Sequence, residues 1–295
     1  MEPNSTRGSQ GCAPLRLGRI DFVNVLPVYL FLEQDACLFQ EVRSTPSRLN
    51  EMLRHGLLDV SPASSIEYAR NPAAYRVLRD LSISSRGKVR SVLLLSRLPM
   101  EQWRGGVIQC PMESETSVAL LELLLRNHWH IEATLVQEGV ALDPAALLRI
   151  GDRALREAAS GQWEHVLDLG QAWLEWTGLP FVFASWLVRR EVVDNRPWQL
   201  RALHGALIRA RERGVGDLQA CERGARARLG EMDLDFLEYF RGLSFHLGEE
   251  EIRGLMRFYE ELARARIVGE VPDVVLWPPG GPGNSPEPRE DPDGL

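Results

Sequence analysis

The residues able to do chemistry stand at the breaks between apolar runs. In Gly18–Tyr29, GRIDFVNVLPVY, one apolar run ends at Asn24 and another restarts near Pro27, which suits the first turn of a helix because that position has no backbone donor to lose. The order predicted is strand, amide, helix. It sets an uncharged donor and acceptor where open α/β sheets hold their ligands. In Glu113–Arg126, ESETSVALLELLLR, the residues Ser114, Thr116 and Ser117 open a helix just after the predicted strand GVIQC. A plain N-cap needs one hydroxyl. Three in four positions, added to the free N–H groups of a helix start, make a cradle for an anion.

SPASSIEY follows the predicted strand LLDV and repeats the arrangement. Ser64 and Glu67 have the S-x-x-E spacing of a capping box, with Ser61 and Ser65 surplus to it. Ser64 and Ser65 are therefore candidate substrate-binding residues. RIGDRAL puts Gly151 and Asp152 at another strand-to-helix turn, where Asp152 reads first as an N-cap and the turn as a further candidate binding element. Ser91, opening SVLLLS, is either a hydroxyl bonded to backbone or a cleft residue. Among the six histidines, His128 and His130 lie two apart rather than at the spacing that puts two ligands on one helical face, so no metal site is expected. H-E-x-x-H, G-x-S-x-G, the P-loop and G-x-G-x-x-G are all missing, which argues against zinc hydrolases, serine hydrolases, nucleotidases and nicotinamide enzymes.

These positions need elements to carry them. Short apolar runs alternate with helical patterns (RLGRIDFV, SRLNEMLRHG, LLDVSP, SSIEYAR, VRSVLLLSR), the rhythm of a parallel α/β fold. SVLLLS and FVFASWLV are continuously apolar, as strands covered on both faces tend to be, and read as the two crossings between domains. The expected division is residues 15–97 plus 186–277 for one domain and 98–185 for the other. A helical last third includes EEEIRGLMRFYEELARAR, where Ile252, Leu255, Met256, Tyr259 and Leu262 form one stripe. Residues 1–14 are polar, and residues 278–295 hold six prolines and four acids against one arginine; both ends are expected to be disordered.

Composition excludes partners more than it names them. The 295 residues carry a net charge of −7, with 34 basic residues scattered among 41 acidic ones, so no nucleic-acid partner is expected. The start, MEPNSTRGSQGCAP, has no apolar signal core, and the longest later apolar stretch, Leu179–Val188, is interrupted by Pro180 and too short for a bilayer. A cytoplasmic protein without a membrane partner is the expectation. Cys12, Cys37, Cys110 and Cys221 form no C-x-x-C pair and read as reduced thiols. What remains is a cleft between two α/β domains, lined by Asn, Ser and Thr at strand ends, suited to a small carboxylated ligand.

At this point the chain resembles the chorismate dehydratases of the futalosine route to menaquinone. The resemblance runs in order through RIDFVNVLPVY, LNEMLRHGLLDVSPASSIEYAR, LSISSRGKVRSVLLLSR, SETSVALLELLL, LLRIGDRAL, DLGQAWLEWTGLPFVFASW and YFRGLSFHLGEEEIRGLMRFYEELAR. It implies the two-lobed type II fold of periplasmic binding proteins and loss of water from chorismate to give 3-[(1-carboxyvinyl)oxy]benzoate, with no cofactor. It implies, too, that Asn24 and Ser91 sit beside the reacting centre, that the turn Ser114–Ser117 contributes to substrate binding, and that the substrate's own enolpyruvyl carboxylate takes the proton. Asp21 and Phe22 stand where other members often carry a Pro-Tyr-like pair. Two alternatives have the same fold: a 1,4-dihydroxy-6-naphthoate synthase-like enzyme, which needs a histidine base not found in the matching turns, and a non-catalytic small-carboxylate-binding protein.

Overall fold

The computed structural model describes residues 13–140 and 143–278. The first part alternates strand and helix: β1 (Leu15–Ile20), α1 (Leu26–Tyr29), β2 (Phe39–Ser44), α2 (Pro46–Arg54), β3 (Val60–Ser64), α3 (Ser65–Arg70) and the long β4 (Tyr75–Ser85). The middle continues with β5 (Val92–Ser96), β6 (Val107–Cys110), α4 (Glu115–Leu124), β7 (Thr134–Gln137), β8 (Ala146–Ile150), α5 (Gly151–Ala159), β9 (His165–Asp168) and α6 (Leu169–Thr177). Then come β10 (Phe181–Arg189), α7 (Arg190–Asn195), α8 (Pro197–Gly216), α9 (Leu218–Leu229), α10 (Phe236–Arg241), β11 (Leu243–Ser244), α11 (Glu249–Arg264) and β12 (Leu276–Trp277).

Two sheets result. The larger runs β11–β4–β10–β3–β1–β2, with β12 added on β4; the smaller runs β7–β6–β8–β5–β9. Within the larger sheet β1 is parallel to β2 and β3, and within the smaller one β6 is parallel to β7 and β8. The strands that carry the chain across break the parallel pattern. β5 enters the smaller sheet antiparallel to β8 and β9, and β10 returns to the larger sheet antiparallel to β3 and β4. Each lobe is thus a mixed sheet rather than the parallel one that the strand–helix rhythm predicts.

Both crossing strands are almost wholly buried, as their continuous apolar character requires. Their sheet membership differs from the expected division. β5 belongs to the smaller lobe and all of β10 to the larger, so the chain crosses at residues 86–91 and 178–180, before each apolar run, rather than after the first and within the second. The glycine-containing segments RGKVRS and GLP bend; the apolar runs stay straight and pair. Of the expected disordered ends, residues 1–12 and 279–295 lie outside the described residues. Ala13 and Pro278 are held: the Ala13 carbonyl accepts from Arg196 and Gln199, and the Pro278 carbonyl from Arg79 Nε at 3.0 Å.

Helices bring the sequence-distant parts together. Trp173 on α6, Phe181 on β10 and Phe258 on α11 meet edge to face, with centroids 5.2 and 4.9 Å apart along the chain of contacts, which fixes α11 against the larger sheet. α8 crosses α1 so closely that a Cβ on Gly214 would stand 2.0 Å from the Pro27 carbonyl oxygen. Only glycine permits that approach. Among the described residues no helix is long and apolar enough to cross a membrane.

Candidate active site

The turn after β1 delivers the amide. β1 ends at Ile20, earlier than the apolar run predicts, and Asn24 sits in a short helical turn, Val23–Val25, that leads into α1. Phe22 lies over Gly151 at the start of α5. Gly151 has φ +57, and a Cβ there would come within 2.8 Å of the Phe22 ring, so both the left-handed backbone and the ring contact demand glycine. The amide oxygen Oδ1 of Asn24 is buried without a hydrogen-bond partner. A buried acceptor left open costs on the order of 1–3 kcal/mol unless something fills it.

Ser91 is fixed from three sides. Its carbonyl accepts the Gly151 N–H at 2.7 Å. Before it, Arg90 takes the left-handed conformation, φ 59, held by Asp168. That carboxylate accepts four backbone N–H groups: Val89 at 3.1 Å and Arg90 at 2.6 Å in the crossing segment, Gly170 at 2.9 Å and Gln171 at 3.1 Å at the start of α6. Burial still pushes the Asp168 carboxyl up, with the four N–H donors pulling the other way. The Ser91 hydroxyl makes only a long bond, 3.3 Å to the Val89 carbonyl. Facing it is the Tyr239 hydroxyl of α10, fully buried, with no hydrogen bond of ordinary geometry and pushed up by that burial.

A cleft between the lobes joins these groups. Asn24, Ser64, Ser91, Ser114, Ser117 and Gly151 supply its polar surface, and Ile20, Phe22, Ile83, Val92, Ile150 and Phe183 are among its apolar walls. Its cavity volume is about 60 Å³, so a ligand enters only as the lobes part. Among the described residues no charged side chain lines it. Ser114 caps α4, accepting the Ser117 N–H at 3.3 Å and donating to Ser117 Oγ at 2.7 Å. Ser64 Oγ accepts from Asn50 Nδ2 at 2.8 Å, which leaves its own hydrogen for the cleft. The N-termini of α4 and α5 both open here, and such ends favour negative charge without any cation.

Three candidates make other contacts. Ser65 is fully buried outside the cleft and donates to the Val182 carbonyl at 2.5 Å, because β3 runs on to Ser64 and turns Ser65 to the opposite side. Ser61 likewise faces the interior, close to Gly18. Thr116 Oγ1 accepts the Ile66 N–H at 3.1 Å and so ties α4 to α3 across the lobes instead of lining the cleft. Asp152 is not an N-cap, since α5 already begins at Gly151; its Oδ1 accepts the Val23 N–H at 2.8 Å and its Oδ2 accepts from Arg228 Nε at 2.8 Å. The capping box at Ser64 is also unmade. Glu67 instead meets Arg54 and the Tyr75 hydroxyl, because the fully buried carboxylate needs those donors more than a helix start needs a cap.

Residues that motif spacing does not reveal complete the site: Asn50, Asp168, Tyr239 and Arg228 each come from far along the chain. Only Asp168 had a local signal, an acid immediately before a helical run. Arg228 also donates from Nη1 to Asp21 Oδ1 at 2.6 Å, which holds the Asp21 carboxyl below the usual carboxylate range.

With this geometry in view, comparison with known proteins places the chain. Residues 15–264 match a family model described as menaquinone biosynthesis. A chorismate dehydratase of Thermus thermophilus is 32% identical over 84% of this chain and 95% of its own length. A solved protein of Archaeoglobus fulgidus superposes with a TM-score of 0.67 at 17% identity, covering 87% of this chain and 99% of that one. An alkanesulfonate-binding protein of Xanthomonas axonopodis pv. citri gives 0.60 at 15% identity, covering 90% and 98%. The fold is that of the periplasmic binding proteins, and the chain belongs to the menaquinone-biosynthesis family that includes chorismate dehydratase.

Proposed function

We propose that the protein is a hydro-lyase that removes water from chorismate to give 3-[(1-carboxyvinyl)oxy]benzoate, acting without a cofactor in the cytoplasm on the futalosine route. The buried, unpartnered Asn24 oxygen in a cleft of neutral donors carries this reading. Chorismate is a dianion with a hydroxyl on C4. Helix starts and hydroxyls hold its carboxylates, and an amide orients the C4 hydroxyl without adding negative charge beside it. The enolpyruvyl carboxylate then takes the C3 proton, the C3–H electrons form the C3–C4 double bond, and the C4–O bond breaks. The Ser91 hydroxyl donates to the departing oxygen, and the collected proton joins it to leave as water. Positioning and differential stabilisation of the departing group do the catalytic work. Family membership and the sequence relative in Thermus thermophilus support the substrate.

Incubation of the purified protein with chorismate, followed by mass detection, tests this. The expected product is aromatic and lighter than the substrate by one water. Chorismate recovered intact from folded protein would favour a carboxylate-binding role instead.

A further inference from the structure

One ionic cluster touches the Asn24 turn from outside the cleft. The Asp152 carboxylate uses one oxygen for the Val23 N–H, adjacent to Asn24, and the other for Arg228 Nε, each at 2.8 Å. The same guanidinium donates to the Asp21 carboxylate at 2.6 Å and to the Asp21 carbonyl. A rigid fork of donors thus holds the turn directly at Asp21 and, through the Asp152 carboxylate, at Val23, an arrangement that the point charge of lysine reproduces only in part.

The membership of these groups matters. Asp21 and Val23 follow β1, and Arg228 lies on α9, which packs on α1; all three belong to the larger lobe. Asp152 is on α5 of the smaller lobe. Separating the lobes therefore breaks both Asp152 contacts or drags the turn along. Of the other cross-lobe contacts, Ser47 to the Met112 carbonyl, Thr116 to the Ile66 N–H and Arg70 with Glu115 reach nothing in the turn, and Phe22 over Gly151 meets it by apolar packing alone.

We propose that Arg228 and Asp152 are positioning residues forming a clasp that sets Asn24 in its working place only when the lobes are together. The inference rests on the dehydratase reading for its kinetic consequence. Arg228 is 37% exposed in its side chain, so its pair with exposed Asp21 contributes little to stability, whereas Asp152 is 8% exposed and needs the guanidinium to balance its buried charge.

Steady-state kinetics with chorismate, together with small-angle scattering, tests the clasp on the full chain. Arg228→Gln lowers kcat by about tenfold to a hundredfold, the cost of a small misplacement at the reacting centre. KM stays within about threefold, and circular dichroism shows the variant folded at the assay temperature. Arg228→Lys recovers part of the loss, and Arg228→Gln with Asp152→Asn is no slower than the slower single variant. Arg223→Gln, exposed on the same helix, behaves as wild type. Both clasp variants scatter as a more open particle than wild type. Unchanged kcat in Arg228→Gln, multiplying losses in the double variant, or equal radii of gyration overturn the clasp. A wild-type protein that leaves chorismate intact overturns the dehydratase reading, and the scattering comparison still decides the clasp.

Discussion

Asn24 and Ser91 have in common that each is rigidly placed by backbone yet incompletely bonded at its tip. Val23 N–H and the Asp21 carbonyl are engaged on one side of the cleft, and the Ser91 carbonyl and Arg90 N–H on the other. The side-chain ends, an open amide oxygen and a hydroxyl with one long bond, are left for a substrate. In the proposed reaction, Asn24→Asp adds a negative charge beside a dianion, and Ser91→Ala removes a donor to the departing oxygen. Each is expected to lower kcat by about 10²–10³-fold, the usual worth of one such donor. Product affinity, measured by calorimetry, stays within a few-fold for Ser91→Ala. Unchanged turnover removes the residue from the catalytic set.

At the scale of elements, the site depends on helices that never touch it. Gly214 of α8 meets the Pro27 carbonyl, and α1 is continuous with the Asn24 turn. Gly214→Ala pushes α1 outward. Overpacking of this kind costs about 1–3 kcal/mol, and chemical denaturation measures it. Turnover falls as well, because the turn moves with α1; a variant as stable and active as wild type contradicts the coupling. This contact also shows what the sequence leaves unsaid. That Asn24, Ser91, Ser114 and Ser117 reach one cleft is legible because strand ends and helix starts are local patterns. Ser65, Thr116 and Asp152 bond to protein groups, which local spacing does not show: β3 runs past the predicted LLDV to Ser64 and turns Ser65 away, while Thr116 and Asp152 meet the Ile66 and Val23 N–H groups across the lobes. Tyr239 and Arg228 arrive from the helical last third, and no local spacing encodes that return.

The molecule as a whole is two mixed sheets closing over a neutral space. The two-lobed α/β architecture was readable from the rhythm of apolar runs. The antiparallel crossing strands and the exact crossing points were not, since pairing direction is a long-range property. The N-termini of α4 and α5 and the Asn24 turn meet at one cleft in whose lining, among the described residues, no charged side chain stands. In the reaction proposed above, the proton goes to a group that the substrate brings. A chorismate analogue whose enolpyruvyl carboxylate is replaced by a carboxamide tests that directly, by following its dehydration next to chorismate under single-turnover conditions. The account predicts that the analogue binds and stays intact while chorismate is converted; conversion of the analogue at a comparable rate would mean that the protein supplies the base.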